Sequence, residues 1–361
     1  MTQPDLAVPG RREWASAAPL LWLLTPLAAI IAVAAGLNLY VNPLSLYSSK
    51  RFSPAQMNYR AEKFARIQAL RVAPTTIIQG SSRVMTMYSC DVERYLPGSC
   101  YNTTGLGARA EDFYAGLRVL CEDAHVPVKR MVLGLDFEAF CPKVQTMSEA
   151  RYFPQYQKYL TRSPVSQPSL AERLSLLVSM QQTNQAIAVL RREAGGQSGP
   201  TLKIGPGGET LQPERDRAIA EGRFNLQRVL DRRLRKYPLQ SLNSAVFDRP
   251  DPMRLAYLAD MLDYCRSHGI EVYAYFTPYH PQLWAILDPL PVSAVLDQVR
   301  HDVGKCFIDR GFVVHDYSHL ASFGGDPDEF YDEVHMQREN QQRLLAKLFA
   351  GMPQLPERGT P

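Results

Sequence analysis

From Trp14 to Ser49 the chain contains no Asp, Glu, Lys or Arg. Within that stretch, "APLLWLLTPLAAIIAVAAGLNLY" supplies the ~20 apolar residues that carry a helix across a bilayer. Pro19 and Pro26 would kink a soluble helix but are tolerated in a membrane one. Trp14, Trp22 and Tyr40 suit the two interfaces. The rival reading is a cleaved signal peptide, whose apolar core is only ~7–15 residues and ends at a small-residue site. Here the run continues into "LNLYVNP" without such a site, which favours a retained anchor. Arg11 and Arg12 lie closer to the apolar run than Lys50 and Arg51, and Glu13 weighs little. That asymmetry predicts a cytoplasmic N-terminus and an exported C-terminal domain. The expected layout is a tail over 1–13, a transmembrane helix over 14–42 and a linker over 43–74. An α/β domain over 75–350 and a frayed polar tail over 351–361 follow.

Beyond the anchor about 310 residues remain, enough for one large α/β domain or two small ones. The net charge is +4, and no basic stripe is interleaved with aromatics, so nucleic acid is not the expected partner. The six cysteines form no CxxC and no Cys/His ligand cluster, which argues against zinc, and no metal is expected. An even count fits an oxidising compartment. Cys90 and Cys100 flank one short loop and are the best disulfide candidates.

From Thr75 strand and helix patterns alternate. "TTIIQG" (75–80), "RMVLGLDF" (130–137), "IEVYAYFTP" (270–278) and "FVVHDYS" (312–318) read as strands. Helices are expected over 110–124, 252–269, 292–311 and 336–352, and a helix with turns over 82–95. The 252–269 helix has strong ends, with Asp251 as N-cap, Pro252 in first position and Gly269 as stop. This alternation predicts an α/β fold: three α/β/α layers with a central parallel sheet. The rhythm breaks between 142 and 249, which reads as an insertion forming a lid or a partner surface. It holds one long helix over 169–196 with a Ser169/Glu172 capping box, and a Gly/Pro-rich loop or hairpin over 195–209.

In open parallel sheets, sites form at the carboxyl ends of strands. The first strand ends at Gly80, Ser81, Ser82 and Arg83, the second at Asp136, the third at Thr277 to His280. The last is followed by "FGGDPDEFYDEVHM", with Asp332 and His335 three residues apart. A serine needs a base within hydrogen-bond reach, and that base needs an orienting group. His335 and Asp332 can supply both to Ser82, and a helix starting at Ser82 would add N–H groups for an oxyanion. Each piece has a plainer reading: Gly-Ser-Ser is commonly a turn and cap, and Asp-x-x-His commonly an N-cap with a surface histidine. His280 could touch substrate or be a braced loop residue, and Trp284 reads as packing. "GLGARA" (105–110) fits the dinucleotide pattern G-x-G-x-x-A, but "PGSCYNTT" before it is a weak strand, so no cofactor is expected.

"IIQGSSR", "YNTTGLGA", "VLGLDF" and "FYDEVH", in that order, resemble the blocks of the SGNH (GDSL-type) hydrolase superfamily. The branch it looks most like holds membrane-anchored proteins of D-alanyl-lipoteichoic-acid synthesis and of alginate and other exopolysaccharide O-acetylation. The resemblance spans about 75–137 and 270–350 and leaves out the insertion. It implies a flavodoxin-like SGNH fold with Ser82 as nucleophile, His335 as base and Asp332 as its orienter. It also implies Gly107 as the oxyanion glycine, with Gly105 as alternative. The third block departs from the family, where many members have Gly-x-Asn-Asp and the asparagine donates to the oxyanion. This chain has Asp136 there, and an ionised aspartate only accepts. Either the hole lacks its third donor, or Asn102 or Arg83 fills in, or Asp136 has another task, such as holding Arg83. The implied activity is serine esterase or O-acyltransferase chemistry on a cell-envelope or secreted polysaccharide, facing the periplasm or outer surface. An acylated donor, a polysaccharide acceptor and an integral-membrane acyltransferase are the implied partners. The alternatives are a catalytically inactive scaffold of a polysaccharide assembly and a carbohydrate-binding module.

Overall fold

A computed structural model describes residues 14–44, 51–52, 58–144, 153–162, 169–196, 203–235 and 247–355 of the 361. The expected tail over 1–13 with Arg11, Arg12 and Glu13, together with Lys50 and residues 356–361, lies outside them. The chain forms two compact units, one of residues 1–57 with 168–200, the other of 58–167 with 201–361.

The first unit is built on a 28-residue helix, Trp14–Val41. Among the described residues it is the one helix long and apolar enough to cross a membrane, with mean hydropathy 1.9 over Leu24–Val41. Those properties also suit the apolar stretch of a signal sequence. The 169–196 stretch, expected as one helix, is two: Leu170–Leu177 and Met180–Ala194. The expected capping box forms at Ser169 and Glu172, but Ser179 starts a fresh helix by accepting from Gln182 N–H at 3.1 Å. The break falls where Asn38, fully buried in the last turns of the long helix, donates to the Leu177 carbonyl (2.7 Å) and to Thr183 Oγ1 (3.0 Å). A buried amide in an apolar helix needs such partners, and the interrupted helix supplies them.

The second unit is α/β. Its sheet has five parallel strands: β1 (Thr76–Gln79), β2 (Cys100–Asn102), β3 (Arg130–Leu135), β6 (Glu271–Phe276) and β7 (Val314–Asp316). Their order is β2-β1-β3-β6-β7, so the winding direction reverses between β1 and β3. Strand residues alternate between two cores, as a pleated strand requires. Ile77, Met131, Leu133, Leu135, Ala274 and Phe276 face one core, and Ile78, Val132 and Tyr275 the other. Both faces of β1, β3 and β6 are therefore covered and these strands are largely apolar, whereas the edge strand β7 is half-buried to exposed. β4 (Lys203–Ile204) and β5 (Thr210–Leu211) pair as an antiparallel hairpin within the 142–249 stretch.

Several expectations are corrected. β2 was not expected; it is a three-residue edge strand in "PGSCYNTT", too short to show periodicity. Of the helix with turns expected over 82–95, residues 82–86 are consecutive turns and the helix covers only Ser89–Glu93. The segment expected as a linker contains a helix, Tyr59–Gln68, capped by Asn58 accepting from Ala61 N–H at 3.1 Å. Cys90 and Cys100 form no disulfide with each other: Cys90 is at the surface and Cys100 in the core, where burial pushes its thiol up. The C-terminal tail is tied at its start, with Leu355 N–H donating to Arg94 O at 2.7 Å.

Candidate active site

The serine loop leaves β1 at the point where the sheet reverses, the position at which α/β sheets form a crevice. Gly80 has φ +150°, and a Cβ there would lie 2.3 Å from Val84 Cγ2 and 2.8 Å from Gly134 O. The chain can turn this tightly against β3 only with glycine. The turn runs on through Val84 N–H to Ser81 O (3.2 Å) and Met87 N–H to Val84 O (3.1 Å). Ser82 is half-buried within it.

Ser82 Oγ lies 2.9 Å from His335 Nε2. His335 Nδ1 lies 2.8 and 3.0 Å from the two Asp332 carboxylate oxygens. Asp332 Oδ1 also accepts from the backbone N–H of Val334 (3.1 Å) and His335 (3.0 Å), which fixes the carboxylate before the imidazole meets it. The network assigns the Nδ1–H tautomer, leaving the Nε2 lone pair for the serine hydroxyl. Burial pushes the Asp332 carboxyl up, but the His335 ring, Arg233 and the Val334 amide outweigh it and hold it well below the usual carboxylate range. The carboxylate is buried, while the histidine side chain keeps 21% of its surface exposed, so the imidazole remains reachable from solvent.

Asn102, Arg83 and Asp136 are committed to bonds away from the Ser82 hydroxyl. Asn102 is fully buried, and its amide donates to the carbonyls of Val84 and Met87, both at 2.9 Å. Its Oδ1 accepts from Thr104 Oγ1 (2.6 Å) and Lys63 Nζ (3.3 Å). It holds the serine turn and has no N–H left for an oxyanion. Arg83 turns into a buried cluster, donating to Glu138 Oε1 (2.5 Å) and Thr277 Oγ1 (3.2 Å), with its guanidinium 4.3 Å from the Tyr279 ring centre. Asp136 belongs to the same cluster: it accepts from the Ser81 hydroxyl and from Thr277 Oγ1 (2.7 Å) and faces Arg83 at 3.7 Å. Gly105 N–H is directed to Gly80 O at 3.4 Å. Gly107 lies half-buried in the same loop with φ +53°. Among the described residues, neither its N–H nor that of Ser82 has an internal acceptor.

Sequence reasoning missed the supports. The Tyr59–Gln68 helix braces the glycine loop through Arg60, whose Nε donates to Asp112 (2.8 Å) and Nη2 to Leu106 O (3.1 Å). The Arg60 side chain packs so close to Gly105 that a Cβ there would lie 2.9 Å from its guanidinium carbon. The 203–235 segment walls the site: Thr210 N–H donates to Met85 O (2.6 Å), and Tyr331 OH to Asp216 (2.8 Å). From its Leu226–Leu234 helix, Arg233 donates to buried Glu333 and stands 3.9 Å from Asp332 Oδ2. An arginine in a charged helix carries no sequence signal for that task. His280 is an N-cap: Nδ1 accepts from Gln282 N–H (3.2 Å), Nε2 donates to Pro327 O (3.2 Å), and burial pushes the ring pKa down. Trp284 is buried and donates to Ser318 O at 2.8 Å.

No protein-family model matches the chain, and no curated protein matches it in sequence.

Proposed function

We propose that the chain is a membrane-tethered serine esterase or O-acyltransferase of SGNH type, acting on a cell-envelope or secreted polysaccharide. One observation carries the reading: the unbroken line from Ser82 Oγ to His335 Nε2 (2.9 Å) and from His335 Nδ1 to Asp332 (2.8 Å). His335 takes the seryl proton as Oγ attacks an acyl carbonyl, and Asp332 stabilises the resulting imidazolium. The N–H groups of Ser82 and Gly107 are the donors available to the oxyanion. His335 returns the proton to the leaving alcohol or thiol, leaving an acyl ester on Ser82. It then removes a proton from the acceptor hydroxyl, and the ester is cleaved by water or passed to a sugar. The 203–235 wall beside the serine turn supports transfer, because water must be kept from the acyl-enzyme.

A second reading, a non-catalytic scaffold, is favoured by the commitment of Asn102, Arg83 and Asp136 to structural bonds, so that none of these three is placed to donate to the oxyanion. A fluorophosphonate probe separates the two. The enzyme is labelled at Ser82 and loses the label in Ser82→Ala and His335→Ala; a folded wild type that takes no label is the scaffold.

A further inference from the structure

The Leu170–Leu177 helix of the first unit buries none of its side chains. Leu170, Leu174 and Val178 recur every four residues, and Leu177 falls between them, so the four form one narrow stripe. Leu170 is 73%, Leu174 54% and Val178 42% exposed, and Met180, just past the break, is 75% exposed. Glu172 and Ser175 lie off the stripe. Apolar side chains exposed this far and this close together are costly in water.

The stripe adjoins the apolar helix. Asn38, inside the Leu24–Val41 window, holds both the Leu177 carbonyl and Thr183, which sets the helix break at the level of that window. The Met180–Ala194 helix then runs past Val41: its Ala186 and Val189 share a small core with Val41. Its far end carries Arg191, Arg192 and Glu193. Polarity is therefore graded, with exposed apolar residues beside the apolar window and charge beyond its end, as at a bilayer interface.

We infer that the Leu170–Leu177 helix and the turn to Met180 lie in the interfacial layer of the bilayer, with Leu170, Leu174, Val178 and Met180 against acyl chains. This rests on the membrane tether and not on the serine chemistry. The partner is lipid because the stripe is tied through Leu177 and Asn38 to an apolar helix whose Leu27, Ile30 and Val33 are themselves exposed.

The test is nitroxide accessibility in the full chain, reconstituted in phosphatidylcholine vesicles, with the exposed Cys90 replaced by Ser. A label at Leu174→Cys is expected to collide with oxygen more than with a water-soluble nickel complex, as at Val33→Cys, while Glu172→Cys shows the reverse order. Nickel access at position 174 with position 33 protected would overturn the inference and leave the tether standing. Shielding of position 174 from both reagents, unrelieved by dilution with lipid, would overturn it in favour of a protein-covered face. Nickel access at position 33 would remove the tether and this inference together.

Discussion

The side-chain amide of Asn102 donates to the carbonyl of Met87 at 2.9 Å, so the last residue of β2 holds the shape of the serine-bearing turn after β1. The same amide serves the Val84 carbonyl, and its oxygen serves Thr104 and Lys63. Asn102→Ala strips donors from two buried carbonyls. At about 1–3 kcal/mol for each buried group left unpaired, the expected loss for the two is about 2–6 kcal/mol. Thermal unfolding measures it, and an unshifted midpoint would show that the turn keeps its shape unaided. Asn102→Asp retains the acceptor and loses the donors, so it separates the two halves of the network.

The Ser82, His335 and Asp332 line predicts a hierarchy of losses. Ser82→Ala and His335→Ala are expected to abolish hydrolysis of an activated acetyl ester. Asp332→Asn leaves the geometry in place but favours the other histidine tautomer, with an expected fall in kcat on the order of 10³–10⁴. Because the three act as one unit, the double variant Ser82→Ala/Asp332→Asn should be no worse than Ser82→Ala alone. Additive losses in steady-state kinetics would mean that Asp332 acts elsewhere.

Much of this arrangement is legible in the sequence where the signal is local. "TTIIQG" shows a buried strand by its β-branched run, and Asp332 and His335 sit close enough in sequence to be read as a pair. What is not legible depends on distant partners. Residues 82–86 carry no marker against helix; they are held as turns from Asn102 and from Thr210, whose N–H donates to Met85 O. The break at Val178 and Ser179 is likewise set by Asn38, some 140 positions away. β2 is found only by pairing with β1, since "CYN" is too short to show a period. Arg233 and Arg60 look like any exposed helical arginines until the fold brings Glu333 and Asp112 to them.

The depressed carboxyl of Asp332 predicts a pH dependence of stability. Its folded value lies below the unfolded value of about 3.9, so its contribution is present above that pH. It is lost as pH falls through the folded value. Urea unfolding is therefore expected to show wild type losing stability on acidification below about pH 4. Asp332→Asn, which cannot titrate, should have a flatter acid limb even if its stability at neutral pH is lower. Parallel acid limbs for the two proteins would assign the acid sensitivity to other carboxylates.

Arg233 joins the wall segment to the loop that carries the base. It pairs with Glu333, which is only 1% exposed, and it stands 3.9 Å from Asp332 Oδ2. Removing one partner of a buried pair leaves the other charged and unpaired, which is strongly destabilising at about 3–5 kcal/mol when both are buried. The Arg233 side chain is 41% exposed, so solvent screens the loss and a smaller cost, about 1–2 kcal/mol, is expected for Arg233→Ala. The shift of Glu333 should also displace the adjacent Asp332 and His335, lowering kcat more than it raises KM. Arg233→Lys keeps the charge but loses the fork geometry, so it should recover stability more fully than turnover. The double variant Arg233→Ala/Glu333→Gln removes the unpaired charge and should recover stability relative to Arg233→Ala. If kcat is unchanged in all three, the wall contributes only packing and the base loop holds its own position.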